Sequence, residues 1–282
     1  MGRTHLFPND KDNEKSSVIV AIEESINLSW YIKLMDMCEG YEFKLATEWI
    51  NACRMVNDCE ELEKIRQAEA IGDAAFTHIL PLIKPGVSEA DIALELEFFM
   101  KKQGAAKLSF DTIVASGPNS SMPHAQVTNR KIQCGDFITM DFGTMINGYH
   151  SDMTRTVAVG FATDEMKNVY DAVLRAQQNC LENIKAGIPC KDGDMFARSI
   201  INDAGYGKYF THSTGHGVGV EIHEYPNLSP ASDSILQVGN IVTVEPGIYI
   251  PEKFGVRIED MALITENGCT NLTKAPKELI IL

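Results

Sequence analysis

An internal repeat constrains the fold of this 282-residue chain more than any other feature of its sequence. The segment IQCGDFITMDFG, which begins at Ile132, aligns with LQVGNIVTVEPG, which begins at Leu236. The two segments share Gln, Gly, Thr and Gly at matching places, and Asp141 falls opposite Glu245. Self-similarity of this kind predicts two similar halves related by a pseudo-two-fold axis, with one acid of each half placed symmetrically about the centre.

Each half is predicted to contain two helices followed by a β-hairpin. Helical spacing and caps indicate helices, and apolar runs indicate strands. The predicted helices cover residues 60–83, 88–103, 164–185 and 194–204, and the predicted strands cover residues 137–142, 149–159, 241–245 and 255–264. Ser88 and Thr163 are expected N-caps, and Asn147-Gly148 is a hairpin-turn signal. The first 17 residues lack periodicity and are interpreted as a loose leader, followed by a strand at 18–22 and a helix at 28–37.

Charge and composition narrow the class of protein. The net charge of −14 makes non-specific binding to nucleic acid or to an anionic membrane improbable. The seven cysteines are scattered without a CxxC pair, and the first residues lack the apolar core of a signal peptide. No apolar run approaches the ~18 residues of a membrane span. A cytoplasmic protein is therefore expected.

Acids inside apolar strands indicate a metal site. If Ile146 pairs with Tyr149 across the hairpin turn, Asp141 faces Thr154, and Asp152 lies diagonal to Asp141 on the same face. Like charges placed this close would raise one carboxyl pKa strongly, and a divalent cation would remove that cost. The sequence therefore favours a cation bound between these two carboxylates.

The second half offers a matching pair, Glu245 and Glu259, which by the repeat should face the first pair. Four carboxylates would balance two divalent cations. Four of the seven histidines also fall in two short motifs, His124 in one and three more within residues 212–223. An oxygen-rich site with one imidazole suits manganese, cobalt or iron better than a structural zinc site.

The order and spacing of these residues resemble those of the pita-bread metallopeptidases. Within that group the chain looks like the Xaa-Pro peptidases, aminopeptidase P and prolidase. The matching stretches are FDTIVASGPNSSMPH, MDFGTMINGYHSDMTRT, HSTGHGVGVEIHE, VEPGIYIP and GVRIEDM. The resemblance covers about residues 60–282 and implies an α+β pita-bread (creatinase/aminopeptidase) fold with two internally duplicated halves.

The resemblance implies a dinuclear metal centre. Asp141 would chelate one ion, and Asp152 and Glu259 would bridge both ions. His216 and Glu245 would complete the coordination of the other ion. A water or hydroxide between the ions would be the nucleophile, and Glu245 would carry its proton to the leaving proline nitrogen.

The other implied roles concern the substrate. His223 would stabilise the tetrahedral intermediate, while His124 and His212 would position the peptide. Arg257 would support the metal-binding carboxylates, and Tyr249 would add a hydrogen bond. The implied cofactors are two divalent ions, Mn²⁺ first, with Co²⁺, Zn²⁺ or Fe²⁺ as alternatives.

The implied substrates are short peptides with proline second, cleaved by an Xaa-Pro aminopeptidase or an Xaa-Pro dipeptidase, and a homodimer is compatible with the resemblance. Relatives of this type usually carry a full N-terminal α/β domain. Residues 1–59 are therefore predicted to hold the leader and the last part of that domain, and residues 60–282 the catalytic domain.

Two other functions remain as alternatives. Methionine aminopeptidases share the fold and the five ligands, but the HxxGH spacing at His212 and His216 and the GVRIED ending argue against that reading. A non-catalytic binding module of this fold would usually lose ligands, and none is lost here. Creatine-type amidinohydrolases use the fold without metals, so intact ligands disfavour them too.

Overall fold

A computed structural model describes residues 18–282, and the chain divides into two compact units, residues 1–52 and 53–282. The predicted leader, residues 1–17, lies outside the described residues. In the first unit, parallel strands β1 (Ile19–Ile22) and β2 (Glu42–Leu45) are joined by helix α1 (Leu28–Met37). The predicted strand at 18–22 and helix at 28–37 are therefore confirmed. Helix α2 (Thr47–Met55) follows.

The second unit contains four long helices and a series of mostly antiparallel strands. In the first half these are α3 (Cys59–Ile79), α4 (Glu89–Lys102), β3 (Lys107–Leu108), β4 (Ile113–Ser116), β5 (Phe137–Phe142), β6 (Thr144–Ile146), β7 (Tyr149–His150) and β8 (Met153–Ala158). In the second half they are α5 (Asp164–Asn183), α6 (Cys190–Asp203), β9 (Gly215–Gly217), β10 (Glu224–Leu228), β11 (Ile241–Val244), β12 (Gly247–Ile250), β13 (Phe254–Arg257), β14 (Asp260–Ile264) and β15 (Cys269–Asn271).

Local signals explain where the helices begin and end. The Ser88 side chain caps α4 and Thr163 caps α5, as predicted. Helix α3 ends before residue 83 because Leu80–Leu82 forms a 3₁₀ turn with a proline in its first positions. Helix α6 begins at residue 190, directly after Pro189 and earlier than predicted, and Gly193 lies inside it. A Cβ at Gly193 would meet a Leu228 methyl at 2.9 Å, so close packing explains that glycine.

The hairpin of the first half has the predicted register. Ile146 pairs with Tyr149, and Asp141 pairs with Thr154. The predicted strand over residues 149–159 is interrupted at Ser151 and Asp152, which separate β7 from β8. At this point the chain passes from the sheet β3-β6-β7 to the sheet β4-β5-β8, and Asp152 directly precedes β8.

The second half repeats this arrangement in the five-stranded sheet β10-β9-β11-β14-β15. The predicted strand over residues 255–264 is also interrupted, at Ile258 and Glu259. Val244 and Asp260 form the last pair between β11 and β14. Glu245, which follows Val244, and Glu259, which precedes Asp260, therefore lie directly beyond that pair. In both halves, therefore, one acid of the pair lies at a break in the second hairpin strand.

Each half of the second unit packs its own pair of helices against its strands. One buried apolar cluster packs α3 and α4 against β4, β5 and β8, and a second packs α5 and α6 against β11–β14. These two close-packed cores hold the strands of each half in place. The acids of both halves are found at or near the ends of these strands. No helix within residues 18–282 is long and apolar enough to cross a membrane.

Candidate metal centre

Nine of the ten residues predicted for the site line one cavity of about 580 Å³, and the tenth, Tyr249, contacts two of them through its hydroxyl. They come from strands, strand ends and loops of both halves. The nine are His124, Asp141, Asp152, His212, His216, His223, Glu245, Arg257 and Glu259. The fold thus brings together acids that lie more than 100 residues apart in the chain, as the repeat predicted.

Three of these residues converge most closely. One ligand atom each from Asp152, His216 and Glu259 lies within 4.8 Å of the other two. The His216 Nδ1 atom donates to the Gly217 carbonyl at 3.0 Å, which leaves the Nε2 lone pair free. That Nε2 atom lies 3.6 Å from Asp152 Oδ2 and 3.4 Å from Glu245 Oε1. The imidazole is therefore oriented as a metal ligand would be.

Asp141 and Glu245 flank this group of three. The Arg257 guanidinium donates to Asp141 Oδ2 at 2.5 Å, whereas Asp141 Oδ1 is buried without a hydrogen-bond partner. Glu245 Oε1 accepts a hydrogen bond from the Thr243 hydroxyl at 3.2 Å. An unpartnered buried carboxylate oxygen costs about 1–3 kcal/mol unless something binds it. A cation beside Asp141 Oδ1 would satisfy that oxygen.

Arg257 links several parts of the site. Besides Asp141, its nitrogens donate to the Thr154 hydroxyl at 3.0 Å, the Tyr249 hydroxyl at 2.8 Å and the Pro123 carbonyl at 3.1 Å. The Thr154 hydroxyl in turn donates to Glu259 Oε2 at 2.7 Å. Arg257 thereby fixes Asp141 directly and Glu259 through one hydroxyl.

The electrostatics of the acids are those of a site built for cations. Burial, reinforced by Glu259, raises the pKa of Asp152 well above its usual range. Burial also raises the pKa of Glu245 to about 8, and burial with the nearby Glu245 raises the pKa of Glu259. Burial lowers the pKa of His216, which favours the neutral, metal-binding imidazole. These donors fit a divalent cation, since bound positive charge would stabilise the ionised carboxylates.

The other histidines surround this group. The His212 Nδ1 atom donates to the Ser213 carbonyl at 2.8 Å, so its Nε2 can accept from the Tyr249 hydroxyl at 3.0 Å. Burial, together with the positive charge of Arg257, lowers the pKa of His212 to about 4. The His223 ring lies 4.4 Å from the His216 ring, centroid to centroid. His223 thus lies beside a metal-binding residue, and both imidazoles line the same cavity as the predicted ligands.

Several residues of the site were not foreseen from the sequence. The hydroxyls of Thr154 and Thr243 support Glu259 and Glu245, and both could have been found from strand alternation, because each lies two residues from a strand acid. Asp111, Asn227 and Ser229 also line the cavity. They lie in loops or irregular strands, where the sequence carries no periodic signal.

The duplicated fold and the cluster of buried acids and histidine define a metallopeptidase. The model of metallopeptidase family M24 matches residues 63–266, and the chain belongs to this family. The predicted pita-bread fold is confirmed by solved structures of high similarity. An Xaa-Pro dipeptidase from Bacillus anthracis is 47% identical with a TM-score of 0.92, and the match covers 94% of this chain and 75% of that one.

Two further relatives carry related names. An X-Pro aminopeptidase from Thermotoga maritima is 40% identical with a TM-score of 0.91, over 94% of this chain and 75% of that one. The Xaa-Pro dipeptidase of Pyrococcus furiosus is 41% identical over 94% of this chain and 76% of its own length. The relatives therefore include both an aminopeptidase and dipeptidases.

Proposed function

We propose that this chain is a metal-dependent exopeptidase that hydrolyses Xaa-Pro peptide bonds. The observation that carries the proposal is the convergence of Asp152, His216 and Glu259 within 4.8 Å in the cavity of a family M24 fold. The names of the similar proteins, Xaa-Pro dipeptidases and an X-Pro aminopeptidase, support the choice of bond. Nothing in the site favours methionine aminopeptidase or a non-catalytic module over this function.

The five predicted ligands would hold the metal, as two divalent ions with Mn²⁺ the first choice. They are Asp141, Asp152, His216, Glu245 and Glu259. When bound, such ions supply an activated water and polarise the peptide carbonyl. Arg257 keeps Asp141 in place by a charge-assisted hydrogen bond, and the Thr154 hydroxyl does the same for Glu259.

The chain's own groups would move the proton and hold the peptide. Glu245 lines the cavity 3.4 Å from His216 Nε2, and as a carboxylate kept ionised by bound cations it would take a proton from the attacking water and release it to the proline nitrogen. His223 would donate to the carbonyl oxygen as negative charge develops there. His124 and His212, which line the same cavity, would position the substrate.

The test is peptide hydrolysis with added Mn²⁺, with and without a chelator. We expect cleavage before proline in Xaa-Pro peptides, abolished by the chelator and restored by metal. Met-Ala-Ser serves as the competing substrate. Faster release of methionine from Met-Ala-Ser would assign the chain to methionine aminopeptidase, and no cleavage of any peptide by metal-loaded protein would favour a binding module.

A further inference from the structure

Each half contains a buried acid in its second helix that is not one of the predicted site residues. Glu89 is the first residue of α4, and Asp194 lies near the start of α6. Neither side chain has any exposed surface. Burying a carboxylate costs free energy unless hydrogen bonds or a counter-charge replace the lost water, so the partners of each acid show what it holds.

The Glu89 carboxylate binds both ends of the segment 116–128. Its Oε1 atom accepts from the backbone N–H and the hydroxyl of Ser116, each at 2.7 Å. Its Oε2 atom accepts from the backbone N–H of Thr128 at 3.1 Å and from the Thr128 hydroxyl at 2.6 Å. The Asn119 amide donates to both oxygens, at 3.1 and 3.2 Å. One carboxylate therefore closes this segment into a loop.

The loop 116–128 carries His124 to the cavity of the metal-binding group. Residues 122–128 form neither helix nor strand, so no regular backbone pairing fixes the position of the imidazole. That position depends instead on how the ends of the loop are held, and Glu89 holds both. Because α4 packs in the buried core of the first half, the carboxylate anchors the loop to a rigid element.

Asp194 holds the segment 210–214 of the second half in a similar way. Its Oδ1 atom accepts from the backbone N–H of Thr214 at 3.0 Å and from the Thr214 hydroxyl at 2.9 Å. Its two oxygens also accept from the Arg198 guanidinium, at 2.6 and 2.9 Å. Arg198 in turn donates to the His212 carbonyl at 2.7 Å. The two side chains therefore fix the backbone at His212 and just after it.

The internal repeat does not account for this similarity. Helix α4 begins at residue 89 and helix α6 at residue 190, so Asp194 corresponds to Ala93 and not to Glu89. The two halves thus use acids at different helix positions. What they share is the result, since each buried acid fixes the segment that brings one histidine to the cavity.

Given the proposed function, on which this inference rests, we infer that Glu89 and Asp194 are positioning residues for the substrate. Neither is among the described residues that line the cavity. Glu89 acts through His124, and Asp194 acts through Arg198 and His212. Because these two imidazoles are proposed to hold the peptide and not the metal, the acids determine how tightly the peptide binds and leave metal binding unaffected.

A replacement that keeps the size of the Glu89 side chain tests its role. In Glu89→Gln an amide nitrogen replaces one oxygen, so one end of the loop meets a donor in place of an acceptor. KM for Ala-Pro-Ala should rise about tenfold, with kcat changed by less than about threefold. Mn²⁺ affinity, measured by titration calorimetry of metal-free protein, should stay unchanged. An unchanged KM, or a loss of Mn²⁺ affinity that accounts for the rise, would overturn the inference.

A double variant separates positioning from a general effect on stability. In a His124→Ala background, Glu89→Gln should raise KM no further, because the loop then holds no imidazole to displace. Asp73→Asn is the matched control, since its carboxylate binds the backbone N–H groups of Lys274 and Ala275, which are not among the described residues that line the cavity. It should leave KM unchanged. Additive effects in the double variant, or an equal rise in Asp73→Asn, would contradict the inference.

The second half gives an independent test. Asp194→Asn places an amide nitrogen against the donors of Arg198 or Thr214, so KM should rise about tenfold in wild-type background and no further in His212→Ala. A rise that persists in His212→Ala would contradict the role of Asp194.

A milder variant keeps the first half testable if Glu89→Gln does not fold. Thr128→Val removes a single hydroxyl from one end of the loop and should raise KM about threefold, again without loss of Mn²⁺ affinity. An unchanged KM in this variant would contradict the role of Glu89. Wild-type protein that is loaded with Mn²⁺ and cleaves no Xaa-Pro peptide would instead overturn the proposed function, and this inference with it.

Discussion

The two halves place their strand acids alike but surround them differently. Gly135 and Gly239 precede the matching strands with φ values of 89° and 91°, so the same left-handed turn leads into both. Asp141 then lies inside β5 opposite Thr154, whereas Glu245 lies one residue beyond β11. The duplication therefore gives the two acids matching positions along the chain. The place where each strand ends determines whether the acid lies within the strand, as Asp141 does, or beyond it, as Glu245 does.

The neighbouring strand differs more. Thr139 in β5 pairs with Ala115, while the matching Thr243 in β11 accepts a hydrogen bond from the backbone N–H of His216 at 3.0 Å. The second half therefore has the imidazole of His216 at the place where the first half has the methyl group of Ala115. The comparison teaches that a symmetric fold can hold an asymmetric site, in which two metal positions would have unequal ligands.

The largest expected effect comes from removing one acid of either half. Asp152→Asn and Glu259→Gln should each lose metal and activity together, by more than the about 10²–10³-fold typical of one lost catalytic hydrogen bond. Metal content by elemental mass spectrometry and hydrolysis of Ala-Pro-Ala check this prediction. A fully active Asp152→Asn variant would exclude a role for Asp152 in bridging the two metal ions.

A smaller effect, on metal affinity, is expected to differ between Thr243 and Thr139, which occupy matching positions in the two halves. Thr243→Val removes the hydroxyl that donates to Glu245 and accepts from His216, so metal affinity should fall about 10–100-fold. Thr139→Val is the matched control, because its hydroxyl contacts Thr156 and not an acid. It should lower the free energy of unfolding by about 1 kcal/mol and leave metal affinity unchanged. Equal losses of affinity would refute the asymmetry.

Much of this arrangement could be predicted from the sequence because it depends on local signals. Caps such as Ser88 and Thr163, and the Asn147-Gly148 turn, act over a few residues and gave the correct helix starts and hairpin register. The acids were found because a carboxylate in an apolar strand needs a partner. Their grouping in one cavity followed from the repeat.

The parts that could not be predicted depend on distant contacts. The strand breaks at Asp152 and Glu259 fall where the chain passes from one sheet to another, and periodicity does not record such a change of strand partner. The helix predicted from residue 194 begins at residue 190, and the contact that explains the glycine inside it, between Gly193 and Leu228, spans 35 residues of the chain. The hydrogen bond between Arg257 and Asp141 spans 116 residues and has no local pattern, so the support that Arg257 gives to the carboxylates was expected from the family resemblance alone.

The last prediction uses another matched pair, in the first helix of each half. Ile83-Lys84-x-Gly86 matches Ile184-Lys185-x-Gly187 at an offset of 101 residues, so Glu69 in α3 corresponds to Tyr170 in α5. Both side chains contact the C-terminal segment. The Glu69 carboxylate accepts from the Thr273 hydroxyl, while the Tyr170 hydroxyl donates to the Lys277 carbonyl at 3.0 Å. Burial raises the pKa of Glu69 from 4.5 to about 8, and its Oε2 atom has no hydrogen-bond partner.

This difference should appear in the pH dependence of stability. Between about pH 5 and pH 8 the folded protein keeps the Glu69 proton, while the unfolded chain releases it, so stability falls as pH rises. Glu69→Gln stays neutral and should flatten the slope by up to about 1.4 kcal/mol per pH unit. Tyr170→Phe should lower stability by about 1 kcal/mol at every pH without changing the slope. Denaturant unfolding of metal-free protein at pH 5.5, 7 and 8.5 measures both. The metal-binding acids titrate in all three proteins, so their contribution cancels when the slopes are compared. An unchanged slope in Glu69→Gln would mean that the Glu69 carboxyl is ionised in the folded protein, contrary to this prediction.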